Sequence, residues 1–187
     1  MAEQRPTHTD RRNEILAKAA ELFARNGFHG VSIDDLGAAV GMTGPALYRY
    51  FAGKEAILSA ILVDISERLL AGGRRRAGDL DALVAFHVDF ALDNADLIAV
   101  QARDLDAMPQ EEQRNVRRLQ SQYVSLWVDA LCDEGQLDRD AALAGAHAAF
   151  GLINSTPHSA RLSRPEMAHL LQAMAMSALA SLRRGGG

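Results

Sequence analysis

Between residues 26 and 54 the chain stops and restarts three times, and this punctuation constrains the fold more than any other feature. Asn26-Gly27 is a helix stop, because glycine readily takes the left-handed backbone that closes a helix. Ser32-Ile33-Asp34-Asp35 approximates a capping box, with Asp in place of the usual Glu at its fourth position. Ile33, Leu36 and Val40 follow at helical spacing, and Gly41 ends that run. Thr43 or Gly44 opens the next helix. Pro45 is tolerated in its first turn, where N–H groups lack partners anyway, and the helix is expected to run through Leu47 to about Tyr50. Another helix begins near Lys54 and carries Ile57, Leu58, Ile61, Leu62 and Ile65 along one side, fraying at Gly72-Gly73. Two short helices across a tight Gly41-Met42-Thr43 turn are a helix-turn-helix, packed through Leu36, Val40 and Leu47 over Phe23.

The rest of the chain continues in helices. Alanine, the best helix former, is abundant, and β-branched runs are nearly absent. One helix starts at Thr9 or Asp10 and buries Ile15, Ala19, Leu22 and Phe23. Later ones cover about 79–94 (Leu83, Phe86, Phe90), 95–107, 109–134 (Val116, Leu119, Tyr123, Leu126, Trp127, Ala130) and 138–153. Asn154-Ser155-Thr156-Pro157 breaks the chain. Ser163 and Glu166 form a full capping box, with Pro165 inside the first turn, for a last helix to about Leu182. Residues 1–9 and Gly185-Gly186-Gly187 read as tails. The expected fold class is all-α. A helix-turn-helix DNA-binding domain with its N-terminal tail covers 1–55, and a helical ligand-binding and dimerisation domain covers 56–187.

Spacing alone leaves two readings of this pair, a generic helical hairpin or a helix-turn-helix that offers the start of its second helix to a DNA major groove. Short residues at 44–46 let that helix sit deep. Tyr48 and Tyr50 each carry a hydroxyl for phosphate and a ring for thymine methyls. Arg49 can pair bidentately with guanine, and Lys54 adds a cation at a helix start. The net charge is −4, with seven Lys or Arg against seven Asp or Glu in residues 1–55, so the deficit falls on the remainder. DNA binding must therefore rest on a few placed cations and helix ends rather than on bulk charge.

The stretch Gly27-Phe28-His29-Gly30-Val31-Ser32-Ile33-Asp34-Asp35-Leu36 leads into Gly41. It is followed by Leu47-Tyr48-Arg49-Tyr50-Phe51 and Lys54-Glu55-Ala56-Ile57-Leu58. Together they resemble the DNA-binding domain of the tetracycline-repressor family over about residues 11–60. The family pattern usually has His where Tyr50 stands and often Ser near Gly53. The resemblance implies DNA contacts at Ser32, Thr43, Pro45, Ala46, Tyr48, Arg49, Tyr50 and Lys54. It also implies a homodimer on a palindromic double-stranded operator, joined by a four-helix interface of the last two helices. A small-molecule effector enclosed by the middle helices would move the DNA-binding domains apart.

Residues 101–135 and the run Gly151-Leu152-Ile153-Asn154-Ser155-Thr156-Pro157 are similar to the ligand domains of family members that govern lipid, steroid or acyl-coenzyme A breakdown in actinobacteria. This implies a fatty or acyl-coenzyme A-like effector. Phe86, Phe90, Tyr123, Trp127 and Phe150 are candidates to line its apolar pocket, and Asn154, His158 and Arg161 to supply polar contacts at the mouth. The competing readings are ordinary core for the rings and a solvated loop for the polar residues. The last two helices are rich in alanine, with Leu143, Leu170, Leu171, Met174 and Leu179 to supply area, which suits the dimer.

Catalytic signatures are missing. There is no phosphate loop, no Gly-x-Ser-x-Gly elbow and no His-Glu-x-x-His pair, and Cys132 has no motif partner. The histidines are scattered, so neither metal nor cofactor is expected, and Asp104 and Asp106 read as solvated helix ends. No run approaches the roughly 20 apolar residues of a membrane span, nor does an N-terminal stretch resemble a signal peptide, so the expected location is the cytoplasm with no membrane partner. A ligand-released repressor leads. An activator or co-ligand-dependent regulator, and a carrier or enzyme on a helical fold, stay open.

Overall fold

The computed structural model describes residues 7–135, 137–159 and 161–184, and every regular element among them is helical. In chain order they are α1 (His8–Asn26), α2 (Ile33–Ala39), α3 (Gly44–Leu47), α4 (Lys54–Arg74), α5 (Leu80–Asp93), α6 (Ala95–Asp104), a 3-10 turn (Leu105–Ala107), α7 (Gln110–Gly135), α8 (Arg139–Ile153), α9 (Thr156–Ser159) and α10 (Arg164–Arg184). They form two compact units, Met1–Asp64 with Ala99–Asn115, and Ile65–Ile98 with Val116–Gly187. The division between them falls inside α4, nine residues beyond the 55/56 boundary expected from sequence, and the first unit also takes a segment from later in the chain. Residues 1–6 and 185–187 of the expected tails lie outside the described residues.

In the first unit, α1 begins earlier than expected. Thr7, rather than Thr9 or Asp10, is its cap: its Oγ accepts from Asp10 N at 3.1 Å while the Asp10 carboxylate takes Thr7 N at 3.0 Å. Ile15, Ala19 and Phe23 form the buried stripe of α1, and Gly27 ends the helix at φ 75°. Burying the Ile15 and Phe23 side chains contributes about 1.5–3 kcal/mol each. Ser32 and Asp35 form the expected box on α2. The carbonyl of Val40 at the end of α2 accepts from Arg11 at 3.4 Å, and Gly41 turns the chain at φ 66°. The helix α3 is a single turn ending at Leu47, not at Tyr50. Beyond it Tyr50 N and Phe51 N both donate to Leu47 O.

The segment from residue 99 joins this unit through Asp104. Expected at a solvated helix end, it is buried instead. Its carboxylate accepts from Phe28 N at 3.3 Å and from Arg103 at 2.9 Å, while Arg103 also donates to Phe23 O. A cation on the last carbonyls of α1 complements the negative end of that helix. Val100 and Met108 complete the attachment by burial.

In the second unit, α10 packs on α5 and α8 around Leu80, Leu83, Val84, Val88, Trp127, Leu131, Ala146, Ile153, Leu171 and Leu179. Asp79, Asp138 and Ser163 start α5, α8 and α10, and the Glu166 carboxylate accepts from Ser163 N at 3.0 Å and Ser163 Oγ at 2.6 Å, one half of the expected box. Arg164 fastens the start of α10 to Asp93 at 2.8 Å and Asp89 at 3.2 Å on α5. The expected break after Ile153 is present at Asn154-Ser155, and Thr156 then begins the short α9, which the sequence did not show. One expectation fails here. Gly72-Gly73 does not fray α4, which continues to Arg74. A Cβ on Gly72 would enter the Phe86 ring and one on Gly73 would stand 2.5 Å from Tyr123, so these glycines admit two aromatic rings against the helix. Among the described residues no helix is long and apolar enough to cross a membrane, and no group of three His, Cys, Asp or Glu is placed to hold a metal ion.

Candidate nucleic-acid interface

The two short helices cross closely because glycine stands at the crossing. A Cβ on Gly37 would lie 2.8 Å from Met42 O and 3.0 Å from Gly44 N. Gly44 is itself buried against Ile33 and Asp34, so its lack of a side chain serves α2–α3 packing and not an approach to DNA. Leu36, Val40, Leu47 and Phe23 are all buried, as the sequence pattern requires, and they hold α3 rigidly.

What remains outside is a compact set. Thr43, Pro45, Tyr48 and Arg49 are exposed, Ala46 and Tyr50 are half-buried, and Tyr48 is 57% exposed although it is a large aromatic. A folded chain that leaves such a ring in water, beside an arginine and at the exit of a short capped helix, presents a surface suited to base edges and phosphates. Thr43 caps α3 by position but makes no side-chain cap bond. Ser32 is exposed, and its hydroxyl is engaged with Asp35 at 2.6 Å. The side-chain and backbone hydrogen bonds from Ser32 hold the Asp35 carboxyl below its ordinary range.

Lys54 is placed differently from its sequence neighbours. Its ammonium donates to Phe28 O at 3.0 Å and Val31 O at 2.9 Å and lies 4.4 Å from the Phe28 ring centroid. Two of its three hydrogens therefore fasten the start of α4 to the loop before α2. Two α1 residues absent from the sequence-based set also join this surface: His8 stacks on Tyr50, and Arg12 lies over the Phe51 ring. Neither belongs to the motif; only the i,i+4 spacing of two cation-capable side chains on α1 hinted at a shared face.

The second unit holds a buried aromatic cluster with polar atoms inside it. Tyr123 and Trp127 are buried and Phe150 is half-buried, with the Trp127 and Phe150 rings 4.7 Å apart. Phe86 and Phe90 form a separate pair at 5.7 Å, with Arg76 over Phe86 and Arg68 over Phe90. Asn154 reaches inward, whereas His158 and Arg161 are exposed. At its centre is His87, which was not among the sequence candidates. Its Nδ1 is 3.0 Å from the Tyr123 hydroxyl and its Nε2 is 3.1 Å from Asn154 Oδ1. With Oδ1 facing the ring, Nε2 donates to Asn154 and Tyr123 donates to Nδ1. Burial drives the His87 pKa down to about 4, against the Asn154 hydrogen bond, so the ring is neutral near pH 7. Burial likewise raises that of Tyr123. A legible signal existed: a lone histidine among Leu83, Val84, Val88 and Ala91 on the apolar face of α5. The indole Nε1 of Trp127 is buried beside the Tyr123 hydroxyl, whose acidity it favours, and makes no hydrogen bond of regular geometry among the described residues.

Residues 15–61 match the family model of bacterial regulatory proteins, tetR family, and residues 77–178 match that of the tetracyclin repressor-like C-terminal domain. The transcriptional regulator EthR of Mycolicibacterium smegmatis is 30% identical over 114 residues, 61% of this chain and 40% of that protein. The chain thus spans less than half the length of that relative. The TetR-family regulator PfmR of Thermus thermophilus superposes with a TM-score of 0.79 at 22% identity, over 92% of this chain and 96% of that one. The regulator AibR, solved in complex with isovaleryl coenzyme A and operator DNA, gives 0.75 at 20% identity over 88% and 97%. At such identities the structural likeness speaks for the fold, while the two family models between them span the DNA-binding and C-terminal helical regions. The chain belongs to the tetR family of bacterial regulatory proteins.

Proposed function

We propose that this chain is a ligand-released transcriptional repressor acting in the cytoplasm as a homodimer on a palindromic operator. One observation carries the DNA contacts: Thr43, Pro45, Tyr48 and Arg49 project into solvent from a rigidly packed helix-turn-helix. With Ser32, Ala46, Tyr50 and the remaining hydrogen of Lys54, they form the proposed reading surface. Arg49 pairing bidentately with guanine would supply about 1–3 kcal/mol of discrimination.

The dimer is supported by a row of exposed residues on α8 and α10. Leu143, Ala144 and Ala148 on α8, and Leu170, Ala173, Met174 and Ala178 on α10, are exposed at helical spacing, and the two helices pack side by side. Apolar area left open with small residues between suits a second copy of the same face.

The proposed effector is a fatty or acyl-coenzyme A-like molecule held in the second unit by Phe86, Phe90, Tyr123, Trp127, Phe150 and Asn154. The exposed His158 and Arg161 would meet its polar end. The neutral polar cluster of His87, Tyr123 and Asn154 favours an uncharged, hydrogen-bonding part of a ligand. Release requires the effector to bind the DNA-incompetent state more tightly than the DNA-bound one. Adding isovaleryl and longer acyl-coenzyme A to the protein on duplex selected from a random pool tests this. The reading expects dissociation by at least one of them. Strengthened DNA binding would replace it with a co-ligand-dependent regulator, and turnover of the thioester would revive the enzyme alternative.

A further inference from the structure

His8 and Arg12 lie four residues apart on α1, and each covers one ring of the Tyr50-Phe51 pair. The His8 imidazole stacks on the Tyr50 phenol with centroids 4.6 Å apart and planes at 23°. The Arg12 guanidinium lies 4.8 Å from the Phe51 centroid. Phe51 is buried, Tyr50 is half-buried and His8 is exposed, so the His8–Tyr50 pair lies at the surface beside the proposed reading helix. Stacking uses the faces of two rings and leaves their edges open. The polar groups of both residues, a ring N–H and a phenolic O–H, lie in the ring planes. Near-parallel rings therefore hold the two donors in adjacent layers, with neither ring face blocking the other's edge. The nearby carboxylate of Asp10 is committed to Thr7 and does not compete for them.

We infer that His8 and Tyr50 form one composite contact to the DNA backbone, two donors delivered to a single phosphate. The footprint of the chain then extends from the recognition helix to the first turn of α1. This inference rests on the DNA-binding reading above. A phosphate exposes two unesterified oxygens, which suits a pair of donors held one ring layer apart. The stack also fixes the Tyr50 ring before DNA arrives, so less side-chain freedom is lost on binding.

The test uses the full-length protein and a duplex it selects from a random pool, re-synthesised with a neutral methylphosphonate at each backbone position in turn. For the wild type, one position per half-site should weaken binding through this contact. His8→Phe keeps a ring on Tyr50 but has no donor; Tyr50→Phe removes the hydroxyl. Each should weaken binding to the unmodified duplex about threefold to tenfold, the worth of an ordinary hydrogen bond. In each, the penalty at that same methylphosphonate position should shrink without vanishing, because the other donor remains. An unchanged thermal unfolding midpoint confirms that both variants are folded. If His8→Phe binds like the wild type, or if the penalty shrinks at different positions in the two variants, the inference is overturned. If the wild type selects no duplex at all, the DNA-binding reading fails first, and visibly so.

Discussion

Inside the second unit, His87 gives up its charge to be buried against Tyr123, Trp127 and Phe150, and this couples stability to pH. An ordinary histidine titrates near 6.5, and here the folded-state pKa is about 4. Between those values the unfolded chain binds the extra proton, so stability rises with pH through the window and is lost as pH falls. The wild type should lose about 2 kcal/mol between pH 7 and pH 5 from this group, measured by urea unfolding, and His87→Gln should flatten that part of the slope. At Lys54, hydrogen bonds to Phe28 O and Val31 O predict that Lys54→Met lowers the unfolding free energy by about 1–3 kcal/mol, independent of any DNA. Neither role was legible beforehand. A sequence shows a lysine at a helix start and a histidine on an apolar face, but not which carbonyls or rings arrive from elsewhere in the chain.

At the scale of elements, capping chemistry is local, and most helix starts were readable for that reason. Ser32 and Asp35 close the box their spacing implied, and Glu166 reaches back to Ser163 as its spacing implied. Glycines were harder, because a helix stop and a close approach look alike in one dimension. Gly41 is the first kind: its φ is 66° and a Cβ there meets nothing within 4 Å. Gly41→Ala should therefore cost about 1–2 kcal/mol of backbone strain alone in a chemical denaturation curve. Gly72 and Gly73 are the second kind, since the Phe86 and Tyr123 rings they accommodate are supplied by other helices. Asp104 was misread for a similar reason: its partners Phe28 and Arg103 include one 76 residues earlier in the chain. Asp104→Ala should lower stability by about 1–3 kcal/mol, seen as a reduced denaturation midpoint, because it leaves Phe28 N–H without its acceptor.

For the whole molecule, the all-α class and the family were legible because the helix-turn-helix signature sits in one contiguous stretch, while the unit boundaries were not. Three helices, α4, α6 and α7, each carry the chain from one unit into the other, and no composition change marks those points. The proposed dimer belongs to this scale. Met174→Glu, on the exposed face of α10, should shift the protein to monomer in sedimentation velocity, because a desolvated carboxylate has no partner in an apolar interface. A persistent dimer would move the interface elsewhere. The central claim, that the α3 surface reads DNA, is tested most directly by titrating the protein onto its selected duplex by fluorescence anisotropy, with excess competitor DNA at two salt concentrations, for the wild type and Tyr48→Ala. The account predicts specific wild-type binding at ~10⁻⁸ M or tighter that resists competitor, and a clear loss for Tyr48→Ala with unchanged folding. Equal affinities for the two proteins, or wild-type binding that competitor abolishes, would contradict it.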